Sequence, residues 1–157
     1  MSVVSKIMKE IIRDTINVHM KVNGLLSNKQ FGFTNGRSTL LQLLKVLDSW
    51  TEKLDNGCCL DVVYCDFMKA FDKVSHARLI KKLQSYGITG NILNCVTDLL
   101  AQRKQRVRVN NIFSNWKEVI SRIPQESMIG PLLFVIFIND VPDVIKKTHI
   151  FSYLRMT

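Results

Sequence analysis

Asp66 ends the run Val62-Val63-Tyr64-Cys65, whose β-branched and aromatic residues predict a short buried strand. A carboxylate at the end of a core strand is costly to leave unpaired. Holding a metal ion is one use for it and opening an ordinary turn is another; this stretch alone favours neither. Phe71 follows five residues on, and Asp72 and Ser75 offer cap-type side chains for a helix starting near His76. A second candidate is Arg37, in the loop from Leu26 to Thr39 with Phe31, Gly32, Phe33 and Gly36. A guanidinium just ahead of a helix N-terminus suits a phosphate; pairing with a surface carboxylate is its plainer use. A third group is Arg103-Lys104-Gln105-Arg106-Val107-Arg108-Val109, an alternating, half-exposed strand with Arg106 and Arg108 on one face. Such a face can lie along a phosphate backbone, or protect a solvated edge strand by charge.

Helices must position these groups. Ile7, Met8, Ile11, Ile12, Ile16 and Met20 recur at helical spacing from Ser5 to about Val22, and Asn23-Gly24 is a stop. As an opening element this helix has nothing upstream to pack on. Ser38 or Thr39 caps a second helix whose broad apolar face carries Leu40, Leu41, Leu43, Leu44, Leu47, Trp50 and Leu54, ended by Asp55-Asn56-Gly57. His76 to Tyr86 forms another, with Leu79, Ile80 and Leu83 inward and Gly87 as its C-cap, and Asn91 to Ala101 a fourth. Asn110-Asn111 offers a turn after the basic strand, with Trp116 to Ser121 as the returning partner. Pro131 opens a helix from Leu132 to Asp140 that is apolar nearly all round and therefore buried, and Val141-Pro142-Asp143 breaks it. His149 to Tyr153 is strand-like.

The chain has 157 residues, enough for one domain with a real core. Its 46% apolar and 22% charged content excludes wholesale disorder. A net charge of +9 points to a polyanionic partner, nucleic acid first and an anionic membrane surface second. Cys58, Cys59, Cys65 and Cys95 show no CxxC pair, and Cys58 and Cys59, beside the central strand, read as small buried hydrophobes in a reducing compartment. There is no signal-peptide h-region, and the apolar run Leu132 to Ile138 is far short of a membrane span. The expectation is an intracellular chain, in cytoplasm or nucleus, without a membrane partner.

Three blocks stand in one order: Gln30-Phe31-Gly32-Phe33 with Gly36-Arg37-Ser38-Thr39; Asp66-Phe67-Met68-Lys69-Ala70-Phe71-Asp72; and Pro124-Gln125-Glu126-Ser127 with Gly130-Pro131-Leu132-Leu133-Phe134. Together they resemble the reverse transcriptase domain of non-LTR, LINE-type retrotransposons, from about Ser2 to Phe151. The resemblance includes Arg103-Lys104-Gln105-Arg106 and Ile138-Asn139-Asp140. It implies an α+β fold of fingers and palm, with residues 1–57 fingers-like, 58–157 an incomplete palm, and the thumb absent. It implies Mg2+-assisted addition of deoxynucleoside triphosphates to a DNA primer on an RNA template. Asp66 then matches the catalytic, metal-binding carboxylate, and the Phe67 carbonyl a further metal contact. Phe71 matches the aromatic gate that excludes a ribose 2′-hydroxyl, Pro124 and Gln125 the loop lining the nucleotide, and Arg37 a residue near its triphosphate. Arg103, Lys104, Arg106 and Arg108 are the expected contacts to the nucleic-acid backbone.

The chain also departs from the family pattern. Arg122 and Glu126 replace the two glycines of Gly-x-Pro-Gln-Gly-Ser, where backbone approaches closely or takes positive φ. Phe151-Ser152-Tyr153-Leu154 stands where the family carries Phe-Ala-Asp-Asp. One carboxylate cannot hold two magnesium ions. The expectation is a reverse transcriptase remnant, one domain cut at both ends and inactive as this chain. Two other classes stay open: a non-catalytic basic module for nucleic acid or a protein partner, and a translated relic without selected function. A frameshift is a further expectation. Met156 and Thr157 are encoded by ATG and ACN, so an Arg155 codon ending in G would read Asp-Asp in a shifted frame.

Overall fold

The protein is described from a computed structural model, in which residues 3–34, 36–62, 67–101, 103–119, 121–123 and 128–145 are placed. It is a mixed α+β architecture of six helices and two small antiparallel pairs among these residues. Two compact units form, one from Met1–Leu25 with Lys69–Phe137 and the other from Leu26–Met68 with Ile138–Thr157.

In the first unit, α1 (Val3–Val22) buries Ile12, Ile16 and Met20. Of its expected apolar stripe, Ile7, Met8 and Ile11 are instead exposed. Gly24 ends the helix at φ +60, and the Leu25 N–H reaches back to the Met20 carbonyl at 2.9 Å. The helix α3 (His76–Ser85) buries Leu79 and Leu83, and α4 (Gly90–Ala101) buries Leu93, Val96 and Leu100. His19 Nε2 donates to the Tyr86 carbonyl at 2.8 Å, tying α1 to the end of α3. Ser75 stands at the N-cap of α3 without a side-chain cap bond, and the Asp72 carboxylate is engaged by Arg122. The capping role expected of both is therefore corrected.

Four two-residue strands follow: β1 (Lys104–Gln105), β2 (Arg108–Val109), β3 (Ile112–Phe113) and β4 (Lys117–Glu118). β1 pairs with β4, Lys104 opposite Glu118, and β2 with β3, Arg108 opposite Phe113. Asn110 and Asn111 turn the chain at φ 47 and 65, the left-handed pair that a tight hairpin demands. Every residue from Lys104 to Glu118 is exposed, so the strand expected to be half-buried is not. Alternation marks two faces but does not supply a layer to cover one of them. The helix α5 (Gly130–Ile138) is the centre of the core: Leu132 through Ile136 are each at most 6% exposed. Its last residue, Ile138, belongs to the second unit.

In the second unit, Ser38 caps α2 (Thr39–Asp55), its side chain accepting from the Leu41 N–H at 3.2 Å. The expected apolar face of α2 is present but uncovered: Leu40, Leu41, Leu43, Leu44, Leu47 and Leu54 are 50–64% exposed, and the buried position is Gln42. Asn139 Oδ1 accepts the Ser27 N–H at 2.8 Å, joining the loop before α2 to the chain after α5. The short helix α6 (Val141–Ile145) begins where Val141-Pro142-Asp143 was expected only to end its predecessor. Cys58 and Cys59 are exposed, against the expectation of burial. Of the expected central strand, Val62 is 40% exposed and outside any strand, and residues 63–66 lie outside the described residues. The strand-like stretch from His149 to Tyr153 also lies outside them.

Candidate active site and nucleic-acid interface

Phe71 is the described residue of the Asp66–Asp72 block most firmly placed by packing. Its ring lies against Phe134 of α5, centroids 4.6 Å apart and planes tilted by 32°. Its carbonyl accepts the Ile123 N–H at 3.0 Å, so the backbone beside Phe71 meets the residue preceding Pro124. The second and third sequence blocks are thus joined twice, through Phe134 and through Ile123. Asp66, Pro124, Gln125 and Glu126 lie outside the described residues.

Arg122 reinforces this junction. Its Nε and Nη2 donate to Asp72 Oδ1 and Oδ2 at 2.7 and 3.1 Å, a two-pronged pair. The guanidinium holds the Asp72 carboxyl below its ordinary range, chiefly through this hydrogen bond, and Asp72 raises Arg122 in return. The Arg122 N–H donates to the Val74 carbonyl at 3.2 Å. Its own carbonyl accepts His76 Nε2 at 3.0 Å and Arg103 Nη1 at 3.3 Å. Arg122 also sits at φ +92, a region where glycine alone is comfortable. The position thus keeps a glycine-type backbone while carrying an arginine side chain. The Asp72–Arg122 pair itself was not anticipated; an arginine in a glycine position facing a nearby aspartate was the signal available.

Arg37 and Phe67 belong to the second unit. Among the described residues Arg37 bonds the loop around it, and no carboxylate pairs with it. Its Nη1 donates to the carbonyls of Asn28 and Gln30 at 2.8 and 2.7 Å, and Nη2 to Asn28 Oδ1 at 3.1 Å. Its guanidinium also lies 5.3 Å from the centre of the Phe31 ring. Arg37 thus folds the loop around itself, which is what a rigid five-donor fork does well. It lines an open cleft of about 580 Å³ with Asn28, Phe31, Leu41, Leu44, Lys45 and Asp48. Phe67 is 47% exposed.

Two of the basic residues lie against aromatic rings of the hairpin. Arg106 lies 3.9 Å from the Phe113 ring centre and 4.5 Å from that of Trp116, and Arg108 lies 5.3 Å from Phe113. Arg108 also bonds Asn111 Oδ1 across the turn. Arg103 reaches the Arg122 carbonyl, and Lys104 is exposed on β1. The aromatic partners Phe113 and Trp116 were missed; their signal was the aromatic pair interleaved with cations across a hairpin turn. Among the described residues no three His, Cys, Asp or Glu side chains gather to hold a metal ion, and no helix is long and apolar enough to cross a membrane.

The family model for reverse transcriptase (RNA-dependent DNA polymerase) matches residues 1–154. The chain belongs to the reverse transcriptase family and is related to the non-LTR, LINE-type retrotransposon enzymes. It is 30% identical over 148 residues to a probable RNA-directed DNA polymerase from transposon BS of Drosophila melanogaster, covering 90% of this chain and 16% of that relative. The corresponding protein of transposon X-element from the same fly is 28% identical over 139 residues, covering 88% of this chain and 15% of the relative. The RNA-directed DNA polymerase from its mobile element jockey is 28% identical over 145 residues, covering 92% and 16%. The chain thus spans about a sixth of the length of these relatives. No solved structure gives a significant match.

Proposed function

We propose that this chain supplies fingers-type and palm-type elements of a retrotransposon reverse transcriptase, binds nucleic acid, and does not add nucleotides on its own. The observation that carries the catalytic half is the carboxylate set. Asp66 and the Phe67 carbonyl are the family's metal contacts here, and the sequence offers Phe151-Ser152-Tyr153-Leu154 in place of the remaining acidic pair. The nearby Asp72 cannot substitute cheaply, because both its oxygens are held by Arg122. The donors present therefore do not fit a two-magnesium centre, and no catalytic step is assigned through one.

In this reading Phe71 keeps the position of the family's sugar gate, supported by Phe134, while Pro124 and Gln125 keep the nucleotide-lining loop. Arg37 shapes the fingers loop and presents the remaining edge of its guanidinium to a triphosphate. The nucleic-acid half rests on the net charge of +9 and the exposed cations of the β1–β4 hairpin. That hairpin also favours a second reading, a basic nucleic-acid-binding module without chemistry. Titration of labelled RNA–DNA hybrid at rising salt tests the binding shared by both readings. Affinity should fall steeply, with a log–log slope of about 0.7–0.9 for each phosphate contacted. Binding that ignores salt, or none at low salt, would exclude it.

A further inference from the structure

The hairpin from Arg103 to Val119 carries cations and aromatic rings on one face, and that combination specifies more than a phosphate track. Its side chains include five cations, Arg103, Lys104, Arg106, Arg108 and Lys117, against the single carboxylate Glu118. Among the described residues no carboxylate pairs with Arg106 or Arg108. Arg106 contacts Phe113 and Trp116, which are nevertheless 47% and 58% exposed. An isolated two-stranded hairpin is marginal in water, and large apolar rings on one are costly to leave uncovered.

We propose that Arg106, Phe113 and Trp116 form a base-stacking platform for the single-stranded stretch of an RNA template. The proposal rests on the nucleic-acid-binding reading above and narrows its ligand. A single strand offers unstacked bases for the rings and phosphates for Arg108 and Lys104, both at one face. A duplex hides its bases in the stack and offers only phosphates. A bilayer surface would favour an apolar face set apart from a cationic one, whereas here the guanidinium lies against the rings. Arg106 acts mainly as a positioning residue: its planar cation fixes Phe113 and Trp116, a task that lysine performs poorly.

Trp116 reports directly on its own occupancy. In the full chain carrying Trp50→Phe, which leaves Trp116 as the sole indole, oligo(U) should quench the emission. Blunt-ended RNA duplex should bind without quenching. Trp116→Leu should weaken oligo(U) binding about 5- to 100-fold and change duplex binding by less than about 2-fold. Arg106→Lys, which keeps the charge, should also weaken oligo(U) binding more than duplex binding. Equal losses for both ligands, or no quenching while oligo(U) binds, overturn the platform and leave the general binding reading standing. Oligo(dT) binding at least about tenfold more tightly than oligo(U) overturns the assignment to an RNA strand, since 2′-hydroxyl contacts distinguish RNA from DNA. Quenching by anionic phospholipid vesicles but not by oligo(U) assigns the face to a membrane instead. Failure of every nucleic acid to bind at low salt overturns the binding reading and the platform together.

Discussion

At Arg122 an unfavourable backbone conformation coincides with a favourable ion pair. A non-glycine residue held in a sparsely populated φ region costs on the order of 1–3 kcal/mol, and the two-pronged contact with Asp72 offsets part of that. Replacing the side chain in two ways separates the effects. Arg122→Ala loses the pair and keeps the strain, so its denaturant midpoint should fall. Arg122→Gly loses the pair and relieves the strain, so its midpoint should lie above that of Arg122→Ala and near that of the parent. The pair also carries a pH signature. Asp72 titrates lower in the folded chain than in the unfolded one, so its stabilisation is complete above the ordinary carboxylate range. It is lost as pH falls through the depressed folded value, beginning at about pH 4. The difference in midpoint between the parent and Asp72→Asn, followed from neutral to acid pH, should shrink to nothing in that direction. Arg37 is the other residue whose role is visible in its partners. Arg37→Lys keeps the charge but loses the fork, and should cost about 1–3 kcal/mol, with faster amide exchange confined to residues around Asn28 and Gln30.

Among the elements, the helices were the most legible in the sequence. α1, α3 and α4 lie within two residues of the expected spans, and Ser38, Gly24 and Gly87 act at the ends where their types predicted. Helical caps and stripes are local, and local chemistry is what a sequence displays. The packing of those stripes is not local. Leu40, Leu44 and Leu47 mark an apolar face on α2 whether or not anything covers it, and here it stays exposed. The basic hairpin shows the same limit: its faces were readable, while the stacking of Arg106 on Phe113 and Trp116 depended on a register fixed by the Asn110-Asn111 turn. Of the candidate site, Phe71 is found where two sequence blocks meet, but its anchor Phe134 had been read as core and as part of the third block, not as the support of Phe71. Phe71→Ala should therefore destabilise the first unit by about 1–3 kcal/mol, less than a fully buried phenylalanine would. A urea melt followed by near-ultraviolet circular dichroism would measure it.

For the whole molecule, family membership and chemical competence are separate questions. The first rests on a match over residues 1–154 and on relatives of which this chain spans about a sixth. The second, in the reading proposed above, rests on donors: Asp66 as one family carboxylate, an aspartate held by arginine, and no acidic pair at 151–154. The +9 charge survives without those donors, so binding should outlast catalysis. Magnesium-dependent primer extension on an RNA template tests this separation most directly, using excess protein, labelled primer and deoxynucleoside triphosphates. The expected result is a shifted primer–template complex with no extended product, unchanged when Arg122→Gly and Glu126→Gly are introduced together. Extension that requires magnesium and disappears in Asp66→Asn would contradict it.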